Sequence, residues 1–216
     1  MKKIALIVAG GEGKRMNANQ PKQFLLLNKL PILVHTLKKF SHLDKIILVL
    51  PYNQFDYWKK LCEKHNFSQK HKLVKGGKTR FHSVKNGLTV IDNHSIVAIH
   101  DGVRPIISTV LINTLISETK KGFGTIPVIP VKNSIREIKS TKSKHIDRSN
   151  LYKVQTPQCF LSADIKKSYK QNYSDKFSDD ASVFEYYGGK IHTILGDEKN
   201  LKITTKEDLK ITELFI

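Results

Sequence analysis

Apolar runs rich in β-branched residues recur along the chain at 4–8, 45–50, 72–75, 95–100 and 125–131. Between them lie stretches of helical length at 31–40, 54–66, 79–91 and 109–120, with apolar residues three and four apart. Within 109–120, Val110, Leu111, Thr114, Leu115 and Glu118 trace one face of a half-buried helix. The strand-like runs are apolar almost throughout rather than alternating, so both of their faces need cover, as in a parallel sheet between layers of helices. The order predicts a Rossmann-like α/β domain: a mostly parallel sheet with helices on both faces. Ligands of such sheets bind beyond the carboxyl ends of the strands.

Residues 133–155 break the rhythm. Ser134-Ile135-Arg136-Glu137-Ile138-Lys139 alternates, Ser140-Thr141-Lys142-Ser143-Lys144 is polar and turn-like, and a second alternating piece runs toward Val154. This pattern predicts a β-hairpin arm projecting from the domain. Two helical segments (162–171 and 179–187), a strand (190–195) and a closing helix from Thr205 follow. No internal repeat or low-complexity linker divides the chain, which therefore reads as one domain over 1–216, with 133–155 as the arm.

Apolar residues make up 39% of the chain, enough for one core, and no apolar run is long enough for a membrane span. Lys and Arg number 37 against 19 acidic residues, a formal charge of +18, which suits a polyanionic partner. The lysines are scattered, in blocks of no more than two, and no arginine-rich arm or paired-cysteine zinc pattern appears. Trp58 and the tyrosines fall mostly on helix-like faces and are mostly expected in the core. A basic nucleic-acid-binding module is therefore the weaker reading, and neither nucleic acid nor membrane is expected as a partner. Four of the five arginines (Arg15, Arg80, Arg104, Arg148) fall in the motifs below, which favours a site that grips phosphate. Two cysteines fit a reducing compartment. The apolar start runs into a glycine loop after six residues with no cleavage site, so a cytoplasmic location is expected.

That loop is the sharpest signal. Ala9-Gly10-Gly11-Glu12-Gly13-Lys14-Arg15-Met16 follows the first strand, and Pro21-Lys22-Gln23 comes soon after. Glycines straight after a strand let backbone N–H groups approach a ligand. The spacing is neither the dinucleotide fingerprint nor the Walker loop. Further blocks are Gly76-Gly77-Lys78-Thr79-Arg80-Phe81-His82-Ser83, His100-Asp101-Gly102-Val103-Arg104-Pro105, Asp147-Arg148, Thr156-Pro157-Gln158, Ser178-Asp179-Asp180-Ala181-Ser182 and Asn200-Leu201-Lys202-Ile203-Thr204.

In this order, over the whole length, these blocks resemble the nucleotidyltransferases that activate sugars and sugar alcohols, and most closely the 2-C-methyl-D-erythritol 4-phosphate cytidylyltransferase family. The resemblance implies that a phosphate monoester attacks the α-phosphorus of CTP and expels pyrophosphate. The nucleophile is already anionic, so the reaction needs fixed cations rather than a general base. Arg15 and Lys22 are implied as the cations around the triphosphate, and Arg148 and Lys202 as the pair that positions the polyol phosphate. Arg148 is expected to act from the neighbouring subunit if the arm builds a homodimer. Ala9, Gly10, Gly11, Gly13, Gly76, Gly77 and Ser83 are implied as nucleotide contacts, and Asp101, Arg104 and Ser178 as acceptor contacts.

Lys78 departs from the family, where an acidic residue is common, and Gly102-Val103 replaces the commoner Ala-Ala. Mg²⁺ is implied as an ion carried mainly by the CTP phosphates, with no protein ligand assigned. A ribitol 5-phosphate cytidylyltransferase shares nearly every motif and is the alternative within the same class.

Overall fold

The computed structural model describes residues 1–11 and 20–216. A single eight-stranded sheet runs through it in the order β10-β7-β11-β6-β1-β4-β5, with β12 alongside β7. Four of these strands, β1 (Lys2–Val8), β4 (Lys45–Leu50), β5 (Lys72–Lys75) and β6 (Ser95–Asp101), are mutually parallel. β12 (Lys190–Leu195) is parallel to β7 (Phe123–Pro130), whereas β11 (Gln158–Leu161) is antiparallel to both β6 and β7. The expected mostly parallel α/β sheet is present.

The uninterrupted apolar strands are explained by the period of two along a strand. In β1, Ala5 and Ile7 join Leu48, Leu50, Trp58 and Leu115 on one face. Ile4, Leu6 and Val8 join Ile47, Val49, Val84 and Phe184 on the other. Helices α1 (Ile32–Lys39), α2 (Phe55–Lys64) and α4 (Thr109–Ser117) cover the first face. The second is covered by α3 (Arg80–Thr89), α5 (Ser162–Ser168) and α6 (Asp180–Tyr186). A short hairpin, β2 (Leu26–Leu27) with β3 (Leu30–Pro31), leads into α1, and α7 (Lys206–Glu213) closes the chain.

Three expectations change in detail. The buried stripe of α4 is Leu111, Ile112, Leu115 and Ile116, while Val110 is 73% exposed. Three consecutive apolar residues left the phase of that helix open, and packing on the sheet chose it. Six of the seven tyrosines, Tyr169 being the exception, are not in the core. Their hydroxyls tolerate solvent, so a helix-like position does not bury them. The projecting hairpin comprises only β8 (Ile135–Lys139) and β9 (Lys142–Ile146), which pair with each other. The alternating piece near Val154 is β10 (Tyr152–Val154), which returns to the central sheet against β7.

The strand Gln158–Leu161 carries no alternation and was not expected. Val154 pairs with Val128 but Cys159 with Thr125, so Gln155–Gln158 form a bulge in the ladder. That bulge lifts Thr156 and Gln155 toward the rim where β1 and β6 end.

Candidate active site

The loops that follow β1, β4, β5 and β6 meet at the carboxyl edge of the sheet. Those after β1, β5 and β6 each extend a strand ladder by one bond: Ala9 N–H to the Val49 carbonyl (3.0 Å), Gly76 N–H to Leu50 (2.8 Å) and Gly102 N–H to Val8 (2.9 Å). With the turn Lys22–Phe24 and the segment around Lys202, they enclose a cavity of about 710 Å³. The buried Gln23 amide locks the turn to the first loop by donating to the Ala9 carbonyl at 3.0 Å.

One wall is built from backbone. The Ser83 hydroxyl accepts from Gly77 N–H and donates to the Thr79 carbonyl, both at 3.0 Å. Thr79 caps α3 by accepting from His82 N–H at 3.4 Å. A Cβ at residue 77 would lie 2.4 Å from His82 Cβ, so only glycine allows this turn its shape. Gly102 is equally constrained, since a Cβ there would lie 2.8 Å from Ala9 Cβ.

The opposite wall is built from charge. Asp101 ends β6, and its Oδ2 accepts from Lys202 Nζ at 3.0 Å and Arg104 Nε at 3.3 Å, while Oδ1 faces Arg80 Nε at 3.4 Å. Burial pushes the Asp101 carboxyl up, but Arg80, then Lys202 and Arg104, outweigh it and hold the group well below the usual carboxylate range. Arg80 also grips the fully buried Asp180 with two parallel bonds of 2.9 and 2.7 Å. Burial alone would lower the Arg80 guanidinium, yet Asp180 and Asp101 raise it above its ordinary value.

Beneath Asp101 lies a neutral polar frame. The Asp101 N–H donates to Thr156 Oγ1 (3.1 Å), which itself donates to His100 Nδ1 (3.0 Å). His100 Nε2 must then carry the proton it gives to the Arg104 carbonyl at 3.1 Å. Burial lowers His100 to about 4, so the ring is neutral at pH 7. Arg104 Nη1 reaches the Asn200 carbonyl at 2.8 Å, and Asn200 Nδ2 donates to the Thr156 carbonyl at 2.8 Å. These bonds fasten the loop of Lys202 to the bulge after β10.

A second cavity of about 260 Å³ adjoins the first, and Arg104, Thr156 and Ser178 help to line it. Arg80, Asp101 and Lys202 line both cavities and form the partition. Of the residues expected from sequence, Ala9, Gly10, Gly11, Lys22, Gly77, Ser83, Asp101 and Lys202 line the larger cavity. Gly76 stands one residue behind the lining, tied to Leu50. Lys22 Nζ donates to the Ile203 carbonyl at 3.2 Å, beside Lys202. Gly13 and Arg15 lie outside the described residues.

Arg148 stands apart. It is exposed at the base of the hairpin, donates to the Lys132 carbonyl and lines neither cavity. The residue that sequence reasoning did not assign is Arg80. Its place on the first turn of a helix after a glycine pair was the available signal; its partner Asp180, a hundred residues on, was not inferable.

The cavities suit phosphate chemistry better than acid–base catalysis. Lys22, Lys78, Arg80 and Lys202 line the larger one, and Asp101 is its one carboxylate among the described residues. Neither thiol is activated: burial pushes Cys62 up to about 11 and raises Cys159 further. Among the described residues no group of three or more His, Cys, Asp or Glu is arranged to hold a metal ion.

A family model described as IspD, 2-C-methyl-D-erythritol 4-phosphate cytidylyltransferase, matches residues 3–216. The chain is 44% identical over 217 residues to the 2-C-methyl-D-erythritol 4-phosphate cytidylyltransferase of Porphyromonas gingivalis, covering 100% of this chain and 98% of that one. To the protein of the same name from Azobacteroides pseudotrichonymphae it is 46% identical over 220 residues, covering 99% and 98%. The crystal structure of the Francisella tularensis 2-C-methyl-D-erythritol 4-phosphate cytidylyltransferase superposes with a TM-score of 0.83 over 100% of both chains, at 30% identity.

Proposed function

This chain belongs to the 2-C-methyl-D-erythritol 4-phosphate cytidylyltransferase family, and from that premise we propose how its residues divide the work of the reaction. The enzyme transfers CMP from CTP to 2-C-methyl-D-erythritol 4-phosphate in isoprenoid precursor biosynthesis. A phosphate oxygen of the acceptor forms a bond to the α-phosphorus of CTP, the bond from that phosphorus to the β-phosphate oxygen breaks, and pyrophosphate leaves. The nucleophile is already an anion, so no proton has to move. The barrier is the meeting of two polyanions and the charge that grows on the transferred group.

The larger cavity takes the nucleotide and the smaller one the acceptor. The backbone wall at Gly77, with Ala9, Gly10, Gly11 and Gly76, receives the base and ribose; Ser83 acts by shaping that wall. Lys22 and Arg15 neutralise the triphosphate. Lys202, in the partition, reaches the attacking phosphate, and Asp101, Arg104 and Ser178 take the polyol hydroxyls. One observation carries this division: two adjoining cavities share a wall that holds Lys202, Arg80 and Asp101.

The described residues do not fit a resident metal cage, because Asp101, the one carboxylate among them in the larger cavity, is already engaged by three cations. Mg²⁺ therefore enters with CTP as part of the substrate, on the phosphate oxygens. Arg148 completes the acceptor site from the arm of a second subunit in a homodimer. The free thiols Cys62 and Cys159 fit a cytoplasmic location.

Pyrophosphate release from CTP and Mg²⁺ with each acceptor separately tests the reading. Turnover of 2-C-methyl-D-erythritol 4-phosphate is expected; exclusive turnover of ribitol 5-phosphate overturns it.

A further inference from the structure

The partition between the cavities contains an anion, Asp101, at the place where two polyanionic substrates must meet. An isolated carboxylate there would repel both. Around it among the described residues stand Arg80 from α3, Arg104 from the loop after β6 and Lys202 from the loop after β12. His100, next in sequence, is neutral and faces Thr156 and the Arg104 carbonyl. Asp179, which lines the smaller cavity, is occupied by Gln158 Nε2 (2.8 Å) and by capping α6 through Ser182 N–H (2.8 Å).

The three cations differ in how they are held. Lys202 is 40% exposed, and Arg104 is held by Asp101 itself and by the Asn200 carbonyl. Arg80 alone rests on a second, fully buried carboxylate. Asp180 receives its fork and also accepts from the Tyr169 hydroxyl at 2.6 Å, deep between α3, α5 and α6. Tyr169 is itself stacked on Phe81, the residue after Arg80, with ring centroids 4.7 Å apart. A buried bidentate pair of this kind fixes the guanidinium plane, which a lysine in the same place would not do.

We propose that Arg80 is a positioning residue for the acceptor: anchored by Asp180 and Tyr169, it holds Asp101 by Oδ1 from the first turn of α3 and so presents Oδ2, Lys202 and Arg104 to the acceptor cavity in one arrangement. The inference rests on the reading of the smaller cavity as the acceptor site. It assigns the otherwise unexplained Asp180 and Tyr169 a part in the reaction, at second hand. Arg80 commits Nε to Asp101 and one N–H of each terminal nitrogen to Asp180, so its larger effect falls on acceptor geometry and its smaller one on CTP binding.

The test pairs Arg80→Gln with Asp180→Asn, which removes the buried charge together with its partner and keeps the interior neutral. The acceptor KM should rise ~10-fold or more, with the CTP KM within about twofold. Arg80→Lys should fall between this variant and the unsubstituted enzyme. In protein carrying ¹³C-labelled aspartate, the Asp101 carboxyl should begin to titrate at higher pH in the double variant, because one of its three cations is gone.

Tyr169→Phe keeps the fold while loosening Asp180, and its acceptor KM should rise about twofold with the CTP KM unmoved. An unshifted Asp101 titration, or acceptor and CTP KM moving in parallel, overturns the proposal. If the double variant does not fold, Tyr169→Phe decides it, and an unchanged acceptor KM there overturns it. The carboxyl titration needs no substrate, so it still judges Arg80 if the unsubstituted chain turns over neither acceptor.

Discussion

Two regions of this molecule use arginine in opposite ways. At the partition, Arg80 and Arg104 are bound on several sides by carboxylates and carbonyls, and the surrounding residues are among the most buried polar groups of the chain. On the arm, Arg136 and Arg148 are exposed, and their hydrogen bonds go to Ser143 of the hairpin and to the Lys132 carbonyl just before it. Ile138, at the arm's tip, is 71% exposed. A lone two-stranded ribbon is marginal in water, and in the proposed homodimer a second subunit would cover this arm. The partition is assembled within one chain; the arm is the element that the proposed homodimer would join. An enzyme that must bring two anions together needs its nearest cations fixed before substrate arrives, because reorienting them during reaction adds to the barrier.

The contrast can be broken most sharply at Lys22. Lys22→Gln preserves reach and removes the charge, and kcat should fall roughly 10²–10³-fold with a much smaller change in CTP affinity. Equal losses in both would make Lys22 a contact of the bound nucleotide rather than of the transition state.

Excision of the hairpin at 135–146 should yield a monomer by sedimentation velocity that still binds CTP but has lost at least ~10-fold in turnover. Arg148→Ala should reproduce the kinetic loss without the change in mass. A fully active monomer would show that the arm contributes nothing to the site.

The frame under Asp101 makes a pH prediction. His100 is held neutral, with its folded value near 4 against an ordinary value of 6.5. The unfolded chain therefore binds the extra proton first, and the stabilisation, complete above about pH 6.5, is lost as pH falls toward 4. The loss amounts to about 3 kcal/mol over that window. Urea unfolding at pH 7 and pH 5 should show it, and His100→Gln should flatten the slope. Asp101 adds no slope there, since its depressed value places its own loss at still lower pH.

The smallest effect concerns the nucleotide wall. Thr79→Ala removes the cap of α3 and should cost about 1 kcal/mol in thermal or urea unfolding, with a modest rise in CTP KM. No effect on either would mean that Ser83 holds the turn unaided.

Much of this architecture is legible in the sequence itself. The apolar runs located β1, β4, β5 and β6, because strands covered on both faces cannot hide their composition. The motif blocks named most of the cavity lining, because glycines that admit no Cβ, as at 77 and 102, and charged residues kept within motifs leave few alternatives. Gln158–Leu161 carries no such signature: it is short and does not alternate, and its strand character comes only from the two neighbours between which it is wedged.

Local chain chemistry thus determined which residue types are present and the spacing at which they recur: a loop of glycines, a sheet buried on both faces, scarce arginines kept within motifs. Tertiary structure alone decided which of them meet. Asp101 finds Lys202 across a hundred residues, and Arg80 finds Asp180 across as many. Such pairings follow from the order of strands in the sheet, and that order is set by the burial of whole faces rather than by any local run of residues.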